Sequence, residues 1–305
     1  MKYQVIFLVG PTAIGKTQVS FYLAQKINAE IISCDSMQVY KEINILNAKP
    51  PLEYIEKIPH HLIGIVSVRE EFNVAKFYKL ACEKIEDILK RGKIPLCVGG
   101  SGLYIDILLH GIFPFPDKDQ NLRKMLFERA LREGRESLHE ELKRVDPLSA
   151  QKIHPNDLKR IIRALEVYIL TGSPLSEIKS QRKGLLNFYK IRMFGLITNR
   201  EKIYNRIEER VEEMFEKGAV QEAERVFKIG PSSTCMQLIG LKEIKEYLDK
   251  KITLEEAKIL VKKNTKKFAK RQLTWFKKEK RISWIRIDNM KPEEIAEVIF
   301  KKLKR

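Results

Sequence analysis

Several stretches of the chain combine residue types and spacings that could do chemistry. GPTAIGKT, residues 10–17, fits G-x-x-x-x-G-K-[ST] and lies between an apolar run and a helical pattern. Its glycines, Gly10 and Gly15, let main-chain N–H groups turn around an anion. The helix that follows adds the partial positive charge of its N-terminus. Pro11, Thr12, Ala13 and Ile14 form the turn between the glycines. Lys16 is placed to neutralise terminal phosphate oxygens, and Thr17 to set a hydroxyl on Mg²⁺. The loop is expected to hold a di- or triphosphate. A nucleotide such as ATP is the usual occupant, but the loop alone does not choose the phosphate.

CDSMQVY places Asp35 just past a second apolar run. A carboxylate there can hold Mg²⁺ through water in a hydrolase or accept a proton in a transferase. Asp and Ser also favour a helix N-cap, which is the plainer reading. VGGSGLY ends a third apolar run with two glycines and Ser101. A nucleotide hydrolase often has an acidic metal ligand at such a place. The glycines weaken that reading and leave room for a bulky substrate near Ser101, or mark only a turn.

Two basic helices complete the inventory. In HPNDLKRIIRALEVYILTG, Leu158, Ile161, Ile162 and Leu165 form an apolar face, while Lys159, Arg160 and Arg163 project from another. They form either a phosphate-contacting ridge or a solvated face. Between Glu256 and Arg281 the chain has eleven Lys/Arg and two Glu. Lys262, Lys266 and Lys270 repeat at i+4, as do Lys263, Lys267 and Arg271. Trp275 and Phe276 follow, a combination suited to a nucleic-acid backbone. His60 and His61 are adjacent, so their side chains diverge on most backbones, and no third metal ligand lies near in sequence.

These residues need elements to position them. Val5–Val9, AEIISCD and IPLCVGG read as strands buried on both faces, alternating with helices at Gly15–Ile27 and Phe72–Arg91. Such alternation predicts a parallel sheet with right-handed crossovers and a ligand site at the C-terminal strand ends. Those ends are GPTAIGKT, CDSMQ and GGSGLY, so the three loops are expected to converge. From Lys118 to Leu186 the pattern is helical and charged. KIRMFGLIT and RISWIRID then restore strands. The fold class is therefore α/β: a P-loop core with a mainly parallel sheet flanked by helices, plus a helical insertion domain. The expected division is 1–117 for the first part of the core, 118–187 for the insertion and 188–305 for the second part.

Composition sets the partners. The 305 residues include 58 Lys+Arg against 40 Asp+Glu, a formal net charge of +18, which favours a polyanionic partner. The four cysteines lack C-x-x-C spacing, so a structural zinc site is not expected. Two lie in strand-like runs, as buried thiols of a reducing, cytoplasmic protein would. The start is too soon interrupted for a signal peptide, and no apolar run reaches the roughly 20 residues of a membrane span.

GPTAIGKT, ISCDSMQVY, AKP, PHHLI, VGGSGLY, HPNDLKRIIRALEVYILTG and AKRQLTWFKK follow one another as in the tRNA dimethylallyltransferases, also called tRNA isopentenyltransferases. The chain resembles this family from Tyr3 to Lys278. It lacks the zinc-finger extension of eukaryotic members, so it is similar to the bacterial type. The resemblance implies that the P-loop, with Mg²⁺, holds the pyrophosphate of dimethylallyl diphosphate. It further implies that the dimethylallyl group passes to N6 of adenosine 37, giving N6-dimethylallyladenosine and pyrophosphate.

The resemblance also implies roles for single residues. Asp35, Thr17 and Arg206 are the implied catalytic set, with Asp35 orienting or deprotonating the adenine amine and Arg206 binding pyrophosphate. Ser36, Met37 and Gln38 surround the flipped base. Ser101 stands where most members have Thr. Lys159, Arg160, Ile161, Ile162 and Arg163 match the stretch that grips tRNA, and Arg123 is a further tRNA contact. The implied partner is the tRNA anticodon stem-loop, and the implied assembly a monomer. Departures from the family pattern are Leu46 and Asn47 for Gly-Thr, Gly64 for Asp, Leu241 for Tyr, and Ile14 for a small P-loop residue. A small-molecule P-loop kinase and a non-catalytic RNA-binding protein remain as alternatives from the residues alone.

Overall fold

The structure, a computed structural model, describes residues 4–112 and 119–304. The chain divides into two compact units, Met1–Leu109 with Leu185–Arg305, and His110–Gly184. The second unit thus ends before the expected 187. Leu185 begins a short helix and, with Leu186, packs into the core of the first unit. The expected junction between 117 and 118 lies outside the described residues.

In chain order the first unit runs β1 (Gln4–Val9), α1 (Lys16–Ile27), β2 (Ala29–Ser33), α2 (Leu52–Lys57), β3 (His60–His61), α3 (Val74–Lys90), β4 (Ile94–Gly99) and α4 (Gly102–His110). The second unit holds α5 (Gln120–Glu133), α6 (Arg135–Val145), α7 (Pro147–Ala150), α8 (Leu158–Thr171) and α9 (Leu175–Ser180). The chain then returns with α10 (Leu185–Phe188), β5 (Lys190–Ile197), α11 (Arg200–Glu216), α12 (Ala219–Ile229), α13 (Leu241–Leu248), α14 (Leu254–Phe276), β6 (Ile282–Arg286) and α15 (Pro292–Lys304).

The strands form one parallel sheet in the order β3-β2-β4-β1-β5-β6. Val5–Val9 of β1 are fully buried because β1 is central and covered on both faces. Their alternation sends Phe7 and Val9 into one apolar layer with Phe77 and Ile85, and Ile6 and Leu8 into the other with Leu23 and Ile207. In the second unit, Leu126, Leu138, Leu142, Ile161 and Leu165 make a separate core.

The edge strand β3 has no signal in the sequence, being two histidines long. It is fixed by polar contacts: Glu30 Oε2 lies 2.8 Å from His61 Nε2, while His60 Nδ1 lies 2.7 Å from the Ile58 carbonyl. Glu30 also takes both Arg91 and Lys93, so one buried carboxylate joins β2, β3 and the end of α3.

Candidate active site

β2, β4 and β1 are neighbours in the sheet, so the loops after them lie side by side at their C-terminal ends. The loop after β1 turns sharply at Gly10, whose φ is +153°. A Cβ there would stand 3.1 Å from the Leu196 carbonyl and 3.2 Å from Ile14 Cγ2. Ile14, the bulky departure from the family pattern, is buried under the loop and belongs to the core. Gly15, with φ of +94°, precedes α1, and no side chain caps that helix. Its first main-chain N–H groups therefore have neither a helical acceptor nor a side-chain cap, the condition under which helix N-termini attract anions.

Lys16 reaches across this loop. Its Nζ donates to the carbonyls of Gly10 at 3.0 Å and Pro11 at 2.8 Å. Burial pushes the Lys16 ammonium down to about 8, Asp35 draws it back up, and Arg210 lowers it further. Burial also lowers Arg210, again opposed by Asp35. Two cations and one carboxylate therefore share a poorly solvated space. Arg210 Nη1 donates to Thr12 Oγ1 at 3.3 Å. Arg206, the arginine expected to bind pyrophosphate, is solvent-exposed one turn earlier on α11. The structure brings Arg210 to the loop instead. The two are four residues apart on one helix, so spacing alone does not choose between them.

Asp35 Oδ1 accepts from the Met37 N–H at 2.9 Å, an Asx-type turn that fixes the carboxylate just past β2. Ser36 N donates to Ser101 Oγ at 3.2 Å, tying the second loop to the third. Gln38 is committed to the fold: Ser33 Oγ donates to its Oε1 at 2.8 Å, and its Nε2 donates to the Ala48 carbonyl at 3.1 Å. Asn47, another departure, donates from Nδ2 to the carbonyls of Met37 and Ile43, at 3.1 and 2.9 Å. It thus braces the segment that carries Asp35. The adjacent 44–46 turn is held by buried Glu222, whose carboxylate accepts from the N–H groups of Asn44, Ile45 and Leu46.

The glycines of the third loop do not open room for a substrate. A Cβ on Gly99 would lie 2.2 Å from the Cys34 carbonyl, one on Gly100 2.2 Å from Gln272 Nε2, and one on Gly102 2.5 Å from the Trp275 ring. The space belongs to Cys34, just past β2, and to α14. Trp275 and Phe276 are accordingly not a stacking platform: Phe276 is buried in the core and Trp275 packs over Gly102.

The basic residues divide in the same way. Lys262 pairs with Glu212 and Lys266 with Glu208, in the seam between α14 and α11. Lys258 joins Glu212 at 2.9 Å. Of that row only Lys270 is exposed. The other row, Lys263, Lys267 and Arg271, faces solvent, and among the described residues none of these four makes an ion pair. In the second unit Lys159 and Arg160 are exposed at the start of α8, whereas Ile161 and Ile162 fill its core and offer no side chain to a partner. Arg123 and Arg163 converge on fully buried Glu166, with Arg123 Nη2 at 2.7 Å and Arg163 Nη1 at 2.5 Å from Oε2.

A hydrated Mg²⁺ takes one or two protein oxygens together with phosphate oxygens, not a full protein cage. Thr17, at the start of α1, would offer one such oxygen beside the diphosphate. Among the described residues no three His, Cys, Asp or Glu side chains are grouped to hold a metal by themselves.

A parallel sheet whose central strand runs through a P-loop into a helix, with two cations and a carboxylate around that loop, defines an α/β protein with a P-loop core. Family models described as IPP transferase and isopentenyl transferase match residues 38–279 and 3–64. A tRNA dimethylallyltransferase of Carboxydothermus hydrogenoformans is 46% identical over 302 residues, covering 98% of this chain and 97% of its own. The crystal structure of the tRNA isopentenylpyrophosphate transferase of Bacillus halodurans is 39% identical, with a TM-score of 0.73, covering 100% of this chain and 97% of its own. A eukaryotic dimethylallyltransferase acting on tRNA is 31% identical, with a TM-score of 0.82, covering 99% of this chain and 80% of its own. The chain belongs to the tRNA dimethylallyltransferase family.

Proposed function

We propose that this enzyme transfers the dimethylallyl group of dimethylallyl diphosphate to N6 of adenosine 37 in tRNA, leaving pyrophosphate. The observation that carries this reading is the cluster of Lys16, Arg210 and Asp35 around the P-loop. Breaking the allylic C–O bond puts new negative charge on the leaving diphosphate. Main-chain N–H groups of the loop, Lys16 and Arg210 are donors of the right sign at that place, and they are strengthened by the poor solvation around them. The adenine must leave its stack to reach the loop, at a cost of a few kcal/mol recovered from pocket contacts. Its exocyclic nitrogen then forms the new bond to the allylic carbon as the old C–O bond breaks. N6 is a weak base before attack and acidic after it, so Asp35 takes the proton late in the step. Thr17 would hold Mg²⁺, which would supply further neutralisation of the charge growing on the diphosphate.

The cation-rich exteriors of α8 and α14 suit the phosphates of the anticodon stem-loop. Lys159 and Arg160 are exposed for this work, and Arg123 and Arg163 are held in fixed positions by Glu166. ATP is not a reactant and competes only weakly, through its own phosphates. Incubating the enzyme with labelled dimethylallyl diphosphate and unmodified tRNA, without nucleotide, should place label on adenosine 37. No transfer, or transfer strictly dependent on ATP, would overturn this reading.

A further inference from the structure

Gln272 lies on α14, far in sequence from both loops it touches, and is buried. Its Oε1 accepts from the Thr12 N–H at 2.8 Å, and its Nε2 donates to the Gly100 carbonyl at 3.0 Å. The amide orientation is forced, since a main-chain N–H can only donate and a carbonyl can only accept. One side chain thus bridges the P-loop after β1 and the glycine loop after β4. The space it needs exists only because residue 100 has no Cβ: one built there would stand 2.2 Å from Nε2. The same Cβ would lie 3.2 Å from the Gly10 carbonyl, so the two loops are stacked directly against each other at this point.

We infer that Gln272 is a positioning residue for diphosphate binding, clasping the P-loop at Thr12 to the glycine loop at Gly100. Thr12 is held from two sides, by Gln272 at its main-chain N–H and by Arg210 at its hydroxyl. Releasing the first contact loosens the turn whose other N–H groups meet phosphate, and it frees the anchor of Arg210. Neither glutamate nor methionine meets both requirements. Glutamate could accept from Thr12 but would set its second oxygen against the Gly100 carbonyl and a negative charge beside an anion loop. Methionine fills the volume and makes neither bond. The inference rests on the P-loop as the diphosphate site of the proposed transfer.

The test uses pyrophosphate as probe by calorimetry, together with the transfer assay. Gln272→Met should weaken pyrophosphate binding and raise KM for dimethylallyl diphosphate at least tenfold, with tRNA affinity within twofold of wild type. Gln272→Glu should do worse than Met. A merely structural role would instead lower kcat through the active fraction and leave both constants unchanged, and that result would overturn the inference. So would wild-type constants in Gln272→Glu, because one acceptor for Thr12 would then suffice. Gly100→Ala offers a route that leaves Gln272 in place: it should mimic Gln272→Ala, and the double variant should be no worse than the worse single one. Additive losses would count against the clasp, whether or not Gln272→Met folds. Wild-type enzyme that binds pyrophosphate but transfers nothing overturns the proposed function while leaving the clasp measurable.

Discussion

Lys16, Arg210 and Asp35 are each expected to fail in a distinct way. Lys16→Ala removes a poorly solvated cation from the leaving group and should cut kcat/KM for the diphosphate donor by about 10²–10³-fold, with little change in tRNA affinity. Arg210→Ala should raise donor KM in the same assay, whereas Arg206→Ala, on the exposed side of α11, should stay within about twofold of wild type in steady-state kinetics. Equal losses from both arginine variants would contradict the placement of Arg210. Asp35→Asn keeps size and hydrogen bonding but loses the proton acceptor, so single-turnover transfer should fall by about 10²–10⁴-fold. A wild-type rate would reduce Asp35 to the cap of its own turn. The P-loop was legible because its geometry is local, set by glycines and a following helix. The choice of Arg210 was not, because it depends on how α11 lies against the loop. The use of the glycines at 99 and 100 was hidden for a related reason: what fills their space comes from Cys34 and Gln272, neither of them adjacent in sequence.

At the scale of elements, α14 shows what periodicity can and cannot give. The i+4 rows of lysine were visible, as was the helix itself, opened by Thr253 with its reciprocal bond to Glu256. Which row faces solvent was not, because the answer sits on α11 in Glu208 and Glu212. Lys262 and Lys266 bind those acids, so replacing them should cost at most about 1 kcal/mol of stability and leave the salt dependence of tRNA binding unchanged. Charge reversal at Lys263 and Lys267 should weaken tRNA binding and lower the slope of log K against log salt by roughly one per lost phosphate contact. Filter binding across a salt series separates the rows. An unchanged slope for the outer row would make it a solvated face. The buried strands were readable from continuous apolar runs, but β3 was not, since a polar edge strand is fixed by Glu30 and by its neighbour β2.

For the whole molecule, each unit buries a carboxylate that is held by cations, and both bear on acid stability. In the first unit, hydrogen bonds from Arg91, Lys93 and His61 overcome burial and hold Glu30 well below the usual carboxylate range. In the second, burial raises Glu166, but Arg123 and Arg163 outweigh it and its pKa is lowered. A carboxylate depressed in the folded state binds fewer protons there than in the unfolded chain. Its contribution is therefore complete above the unfolded pKa, near 4.5, and is lost as pH falls through the folded value. Stability should be flat in these groups from neutral pH to about 5 and then decline. Replacing either acid with Gln leaves its cations facing a neutral amide. Full burial of such a pair would make the loss about 3–5 kcal/mol, but Arg91 and Lys93 are partly exposed, so about 1–3 kcal/mol is expected for Glu30→Gln. Because Glu30 and Glu166 lie in separate cores, the two losses should add. Denaturant unfolding at pH 7 and pH 4 provides the check: Glu30→Gln should narrow the difference between the two pH values relative to wild type. If the variant loses as much stability as wild type on acidification, Glu30 is not a group whose protonation weakens the fold, and the sheet edge at β3 is held by its main-chain pairing with β2.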